Sequence, residues 1–197
     1  MQEFWTLLFK DRRILAPIKN PQEILDIGCG TGLWAIEVAD EYSDTQVHGI
    51  DISPVQPVYV PPNCSFVLDN FLRGDTFHDQ KFDLVQSRNI GSGCPDPQWP
   101  RYLQEIWRVT KPGGWIQLIE MDPIRWYDVN EELPKDSPLM IVEDIVERVF
   151  REKYEWSPFD VLQKMANHVQ DAGFTNIKQY NVKAPVGKWA NGYMSWN

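Results

Sequence analysis

The sequence predicts an α/β fold, a doubly wound and mostly parallel sheet with helices on both faces. Three observations carry that expectation. An apolar run at 24–27 breaks into glycines at 28, 30 and 32 and leads to a segment with Ala35, Val38, Ala39 and Tyr42 on one helical face. A second apolar run, Gln46–Asp51, ends in an acid. Further runs at Cys64–Leu68, 82–87 and 115–120 alternate with turn-rich or helical stretches, the rhythm of βαβ units.

The 197 residues carry no internal repeat or low-complexity tract and read as one domain. It divides into a helical segment at 1–20, a ligand-binding core at 21–122, and helices with a sixth strand at 123–197. Apolar residues make up 43% of the chain and charged ones 24%. No run approaches the roughly 20 apolar residues a spanning helix needs, which argues against a membrane segment. A soluble protein of the cytoplasm or nucleus is expected. The net charge of −9 opposes direct binding to nucleic acid. Three cysteines (29, 64, 94) and three histidines (48, 78, 168) are scattered, giving neither a disulfide framework nor metal-ligand spacing.

Taken in order, Phe4, Trp5, Leu7, Leu8 and Phe9 suggest a short apolar helix before Pro17. Residues 24–27 form the first strand, and the glycines permit a tight turn or a close backbone approach to a ligand. The following helix opens its N-terminus onto that turn, where unpaired N–H groups favour an anion. After Asp51, prolines at 54, 57, 61 and 62 prevent a long regular helix. Residues 82–87 read as the fourth strand, running into a loop with Arg88, Asn89, Gly91 and Gly93. Asp96-Pro97 signals a helix start. Trp99, Tyr102, Leu103, Ile106 and Trp107 then form its inward stripe. Lys111-Pro112-Gly113-Gly114 turns that helix into the fifth strand at 115–120, with Glu120, Asp122, Arg125, Trp126 and Tyr127 at its far end. Ser137-Pro138 and Ser157-Pro158 open two more helices. The first turns Val142, Ile145, Val149 and Phe150 inward. The second carries Val161, Leu162, Met165 and Val169 and stops at Gly173. Residues 174–183 read as a sixth strand.

The spacing of the glycines, G-x-G-x-G, differs from the G-x-G-x-x-G of dinucleotide folds. Asp26, two residues before the first glycine, would crowd a pyrophosphate. It suits a ligand bearing both an ammonium and a carboxylate, such as the amino-acid end of S-adenosylmethionine. Asp51, at the tip of the second strand, is placed for ribose hydroxyls. Asp69, after the third, is placed for the adenine amine. Acids capping ordinary turns are the competing reading.

These segments resemble the successive motifs of class I S-adenosylmethionine-dependent methyltransferases. Within that class Leu15-Ala16-Pro17-Ile18, Asp51-Ile52-Ser53-Pro54-Val55-Gln56-Pro57, Lys111-Pro112-Gly113-Gly114-Trp115, Leu133-Pro134-Lys135-Asp136-Ser137-Pro138 and Ala172-Gly173-Phe174 resemble the fungal LaeA-like branch of secondary metabolism. The resemblance implies a Rossmann-like fold with S-adenosylmethionine as cofactor and S-adenosylhomocysteine as product. It implies a cofactor set of Asp26, Gly28, Cys29, Gly30, Gly32, Asp51, Ile52, Asp69, Asn70, Ser87 and Arg88. Glu120 and Asp122 are the candidate general bases. The acceptor would be a small molecule or a protein. The resembling proteins continue past the position of Trp189 to an antiparallel strand inserted between the fifth and sixth. Such a strand is expected to be missing here, so a homo- or hetero-oligomeric partner would cover the incomplete sheet. The alternative function is a cofactor-binding regulatory or non-catalytic protein acting through a partner subunit. A nicotinamide-dependent oxidoreductase shares only the fold.

Overall fold

The computed structural model describes residues 2–91, 93–121, 133–154 and 158–182. Five strands, β1 (Glu23–Ile27), β2 (Gln46–Asp51), β3 (Cys64–Leu68), β4 (Phe82–Arg88) and β5 (Thr110–Ile119), form one sheet in the order β3-β2-β1-β4-β5. Every pairing is parallel. Parallel strands are covered on both faces, which is why β1 and β4 are buried along most of their length. Side chains alternate between the two faces. Ile24 and Leu84 join Trp34, Ala35 and Val38 of α2 (Leu33–Glu41). Leu25, Ile27 and Val85 join Trp99, Leu103 and Ile106 of α3 (Trp99–Val109), with Val161 and Val169 of α5 (Pro158–Asp171) behind them.

The strand order reverses between β1 and β4, so the crossovers leaving these two strands diverge and open a crevice at their carboxyl ends. That crevice faces the glycine turn. The connection between β2 and β3 holds no helix, in keeping with its four prolines. The fifth strand begins at Thr110 and not at 115 as its sequence led one to expect, and the Lys-Pro-Gly-Gly turn is a wide bulge inside it. Phe82 pairs with Thr110 and Leu84 with Trp115, so Asp83 alone faces the looped residues. Its carboxylate holds the bulge shut, accepting from Lys111 Nζ at 2.8 Å and from the Gln22 and Glu23 backbone N–H groups.

At the N-terminus α1 (Gln2–Leu8) packs Trp5 and Leu8, with Phe9 just beyond it, against Ile119, Leu15 and Val182. Residues 13–16 are fastened between α2 and β5. Arg13 pairs with Glu37 and Glu41, its carbonyl accepts from Trp34 Nε1, and Gln117 Oε1 accepts from the backbone of Leu15 and Ala16.

Four further expectations are corrected. Residues 174–182 form no strand. No neighbouring backbone pairs with them among the described residues, and an extended segment without a ladder partner is not a strand. Helix α4 (Pro138–Tyr154) starts as expected, with Ser137 Oγ accepting from Met140 N–H at 3.3 Å. Its Val142, Ile145 and Val149 are nevertheless exposed, and of the four residues expected inward only Phe150 packs on the core. Asp96-Pro97 opens a 3₁₀ turn (Asp96–Gln98), and α3 proper begins at Trp99. Trp107 is half-exposed at the edge of its stripe, its ring edge-on to Phe174, while Val109 takes the buried position. Helix α5 closes with Gly173 at φ 101, as its sequence led one to expect. Among the described residues no helix is long and apolar enough to cross a membrane.

Candidate active site

The turn after β1 is built from backbone. Gly28 and Cys29 N–H both reach the Ile50 carbonyl of β2, and Gly32 N–H closes the turn on the Cys29 carbonyl at 2.9 Å. Gly28, Gly30 and Gly32 all have positive φ, a conformation L residues avoid. A Cβ at Gly32 would strike the Phe66 ring at 2.2 Å, so that glycine admits the aromatic wall of β3. At Gly30 a Cβ would meet nothing within 4 Å. Gly30 therefore faces open space, the property expected of a cradle.

Asp26 lies beneath this turn and is 4% exposed. No hydrogen bond reaches its carboxylate among the described residues. Burial pushes its pKa up to about 7, with Arg88 pulling it down and Asp51 pushing it further up. A nearly buried carboxylate just before the glycine turn, with no donor among the described residues, is suited to a cationic, hydrogen-bonding ligand.

Asp51 occupies the rim. One carboxylate oxygen accepts from Gly30 N–H and the other from Ser53 N–H, both at 2.8 Å. Each oxygen keeps one lone pair for an incoming hydroxyl. Ile52 beside it is 72% exposed, an apolar surface at the crevice mouth. Gln56 is a residue the sequence reading gave no role. Its Nε2 donates to the Gly30 carbonyl at 2.7 Å and to the Ser53 carbonyl at 3.0 Å, tying the proline-rich loop to the glycine turn. Its presence inside the Asp51–Pro57 run was the available signal. Cys29 points back toward this loop, and burial together with Asp26 and Asp51 raises its thiol pKa, so it stays protonated.

Asp69 is joined to the rim by its own N–H, which donates to the Asp51 carbonyl. Its carboxylate accepts from Asn70 N–H and Thr76 Oγ1, and these bonds lower its pKa. Asn70 Oδ1 in turn caps the short helix that follows, accepting from Leu72 N–H. Both residues thus shape the loop at the third strand end.

The fourth-strand residues divide. Arg88 sits under Trp5 of α1, its guanidinium 5.6 Å from the ring centroid, and its charge acts on Asp26. The Ser87 side chain is fully buried on the α3 face, where its Oγ accepts from Tyr102 Oη at 2.6 Å. Tyr102→Phe is expected to lower stability by about 1 kcal/mol, read from a urea midpoint.

Glu120 accepts from the backbone N–H groups of Ile90 and Gly91, at 2.8 and 3.0 Å, and so fastens the loop after β4 to the end of β5. Burial outweighs these two bonds and moves its pKa up to about 7. Asp122, the other expected base, lies outside the described residues, as do Arg125, Trp126 and Tyr127.

Residues 24–114 match a family model described as a methyltransferase domain. Over that stretch, which holds the glycine turn and the tips of β1 to β4, the chain is similar to a methyltransferase domain. The chain is 33% identical over 195 residues to methyltransferase pytC of Aspergillus terreus, covering 96% of this chain and 57% of that protein. It is 30% identical over 192 residues to protein-methionine methyltransferase laeA of Emericella nidulans, covering 89% of this chain and 46% of that protein. The chain thus spans about half the length of the curated relatives it matches. Phosphoethanolamine N-methyltransferase 2 of Haemonchus contortus, solved with S-adenosyl-L-methionine, shares the fold at a TM-score of 0.60 and 22% identity, over 92% of this chain and 38% of that one.

Proposed function

We propose that this chain binds S-adenosylmethionine in the crevice between β1 and β4 and serves methyl transfer to a small-molecule or protein acceptor. One observation carries the reading: Asp26 presents a buried carboxylate without a donor beneath a glycine turn whose central residue faces open space. An ammonium group supplies the missing donor and charge. The turn leaves open space beside Gly30 for the ligand, Asp51 accepts from ribose hydroxyls, and Ile52, Asp69 and Asn70 bound the adenine end. Bound there, the cofactor supplies an electrophilic methyl group on a sulfonium.

The protein's own contribution is then mainly alignment and exclusion of water. Trp5 and Arg88 close the α1 side of the crevice. Glu120 positions the loop after β4 and, with a pKa near 7, is the described carboxylate suited to accept a proton from an oxygen or nitrogen acceptor. The relative named as a protein-methionine methyltransferase favours proteins as one acceptor class.

Calorimetric titration with S-adenosylmethionine and S-adenosylhomocysteine tests the reading. Both are expected to bind, and Asp51→Ala is expected to weaken both by about 1–3 kcal/mol, the scale of hydrogen bonds to a charged group. Unchanged affinity in that variant would remove Asp51 from the site. No binding by the folded wild type would reject the reading as a whole.

A further inference from the structure

Three polar side chains stand in a row across the α2 face of the sheet. Asp26 on β1, Gln86 on β4 and Gln117 on β5 are successive register partners, and all three are buried. The orientation of Gln117 is fixed by its surroundings. Its Oε1 accepts from Leu15 N–H at 2.6 Å and Ala16 N–H at 3.1 Å, so Nε2 is the end left to donate. Nε2 gives to Gln86 Oε1 at 2.7 Å and to the Arg13 carbonyl at 3.3 Å. Gln86 is thereby fixed as well, because only its oxygen can accept.

The other end of the Gln86 amide is the unusual one. Nε2 is fully buried, with no hydrogen-bond partner among the described residues. On that flank stands Asp26, an acceptor without a donor. Neighbouring strands run about 4.8 Å apart, and a glutamine amide lies one bond further from the backbone than an aspartate carboxylate. The two groups make no direct hydrogen bond, and as register partners on neighbouring strands they lie within the span of one shared water. Buried polar atoms are nearly always satisfied, often by such a water.

We infer that Gln86 is a positioning residue for Asp26, donating from Nε2 toward its carboxylate through one buried water, and so favouring its ionised form and aiming it at the ligand's ammonium group. The role toward the ammonium rests on the cofactor reading above. The other groups around Asp26 act on it by charge. Arg88, at the end of β4, favours the ionised form and Asp51 of β2 opposes it. Cys29 in the turn, Cys64 of β3 and Tyr102 of α3 feel Asp26, but burial raises all three and they stay neutral near pH 7.

The test is a carbon-13 and nitrogen-15 titration of the ligand-free chain. The Gln86 side-chain amide is expected to shift with the same midpoint as the Asp26 carboxyl. Gln86→Met is expected to move that midpoint up by about one unit, the size of a lost hydrogen bond to a charge, and to carry the pH profile of S-adenosylmethionine binding with it. A wild-type Gln86 amide that does not follow Asp26 overturns the inference without needing any variant to fold. So does an unchanged midpoint in folded Gln86→Met. Coupled titration in a protein that binds no S-adenosylmethionine would instead overturn the cofactor reading, and with it the role of Gln86 toward the ammonium.

Discussion

Affinity for S-adenosylmethionine is expected to fall about tenfold for each pH unit below ~7, and Asp26→Asn is expected to abolish that slope while binding weakly at every pH. The sign follows from the raised pKa of Asp26, about 7 in the ligand-free protein. The ammonium group is received by the ionised carboxylate. Below the midpoint a proton must leave before the ligand can bind, and each further unit of acidity adds about 1.4 kcal/mol to that step. Calorimetry between pH 5 and 8 reads the slope directly. A flat profile in the wild type would take Asp26 out of contact with the ligand. The same shift has a reciprocal effect on folding. The folded state holds this proton more tightly than the unfolded chain, whose carboxyl titrates near 3.8. The resulting stability is complete below that value and is lost as pH rises through about 7. Ligand-free Asp26→Asn should therefore melt at a higher temperature than wild type at pH 8, and the two should converge at low pH. A site that destabilises its own fold until the ligand arrives is a familiar trade.

Gly32→Ala is expected to cost about 2–4 kcal/mol of stability, whereas Gly30→Ala should fold nearly normally and lose at least roughly tenfold in cofactor affinity. At Gly32 the added carbon meets the Phe66 ring at 2.2 Å with φ at 75°. The same ring also lies over Gly49, where a Cβ would approach it within 2.5 Å. At Gly30 only the left-handed backbone resists, about 1 kcal/mol, because the space beyond is open. Thermal melts paired with calorimetry separate the two effects. A well-folded Gly30→Ala protein with wild-type affinity would show that the open space is not the ligand's.

The first four strands were legible because each is short and bounded by turn chemistry. The fifth starts at Thr110, five residues before its expected start, with the Lys-Pro-Gly-Gly turn inside it as a bulge. β2 and β3 fall where alternation and the acids at their ends put them, and β1 and β4 are each one residue longer than read. The tip of each strand was also legible, since an acid ending an apolar run has few reasons to be there. What escaped was whatever depended on lateral neighbours. Ser87 looks like a loop-proximal hydroxyl in the sequence, yet the alternation of β4 turns it toward Tyr102 on the other face. Gln56, Gln86 and Gln117 carry no pattern of their own, and their roles exist only once three strands and a loop are assembled. The apolar positions of α4 have helical spacing, but spacing says which side is apolar and not whether anything covers it. The stretch 174–182 has strand-like composition, and composition cannot supply a pairing partner.

The central position of β1 also has a bearing on how the chain is made. Ile24 must pair with Val47 on one side and with Leu84 on the other. The first partner leaves the ribosome soon after it, but the second follows about 60 positions later, roughly 3–12 s at ordinary elongation rates. During that interval a nascent sheet of β1, β2 and β3 would present β1, four of whose five residues are buried in the finished fold, as an open edge. Synthesis speed across this stretch, or a chaperone bound to it, would then govern the yield of active protein more strongly than the equilibrium stability of the finished fold.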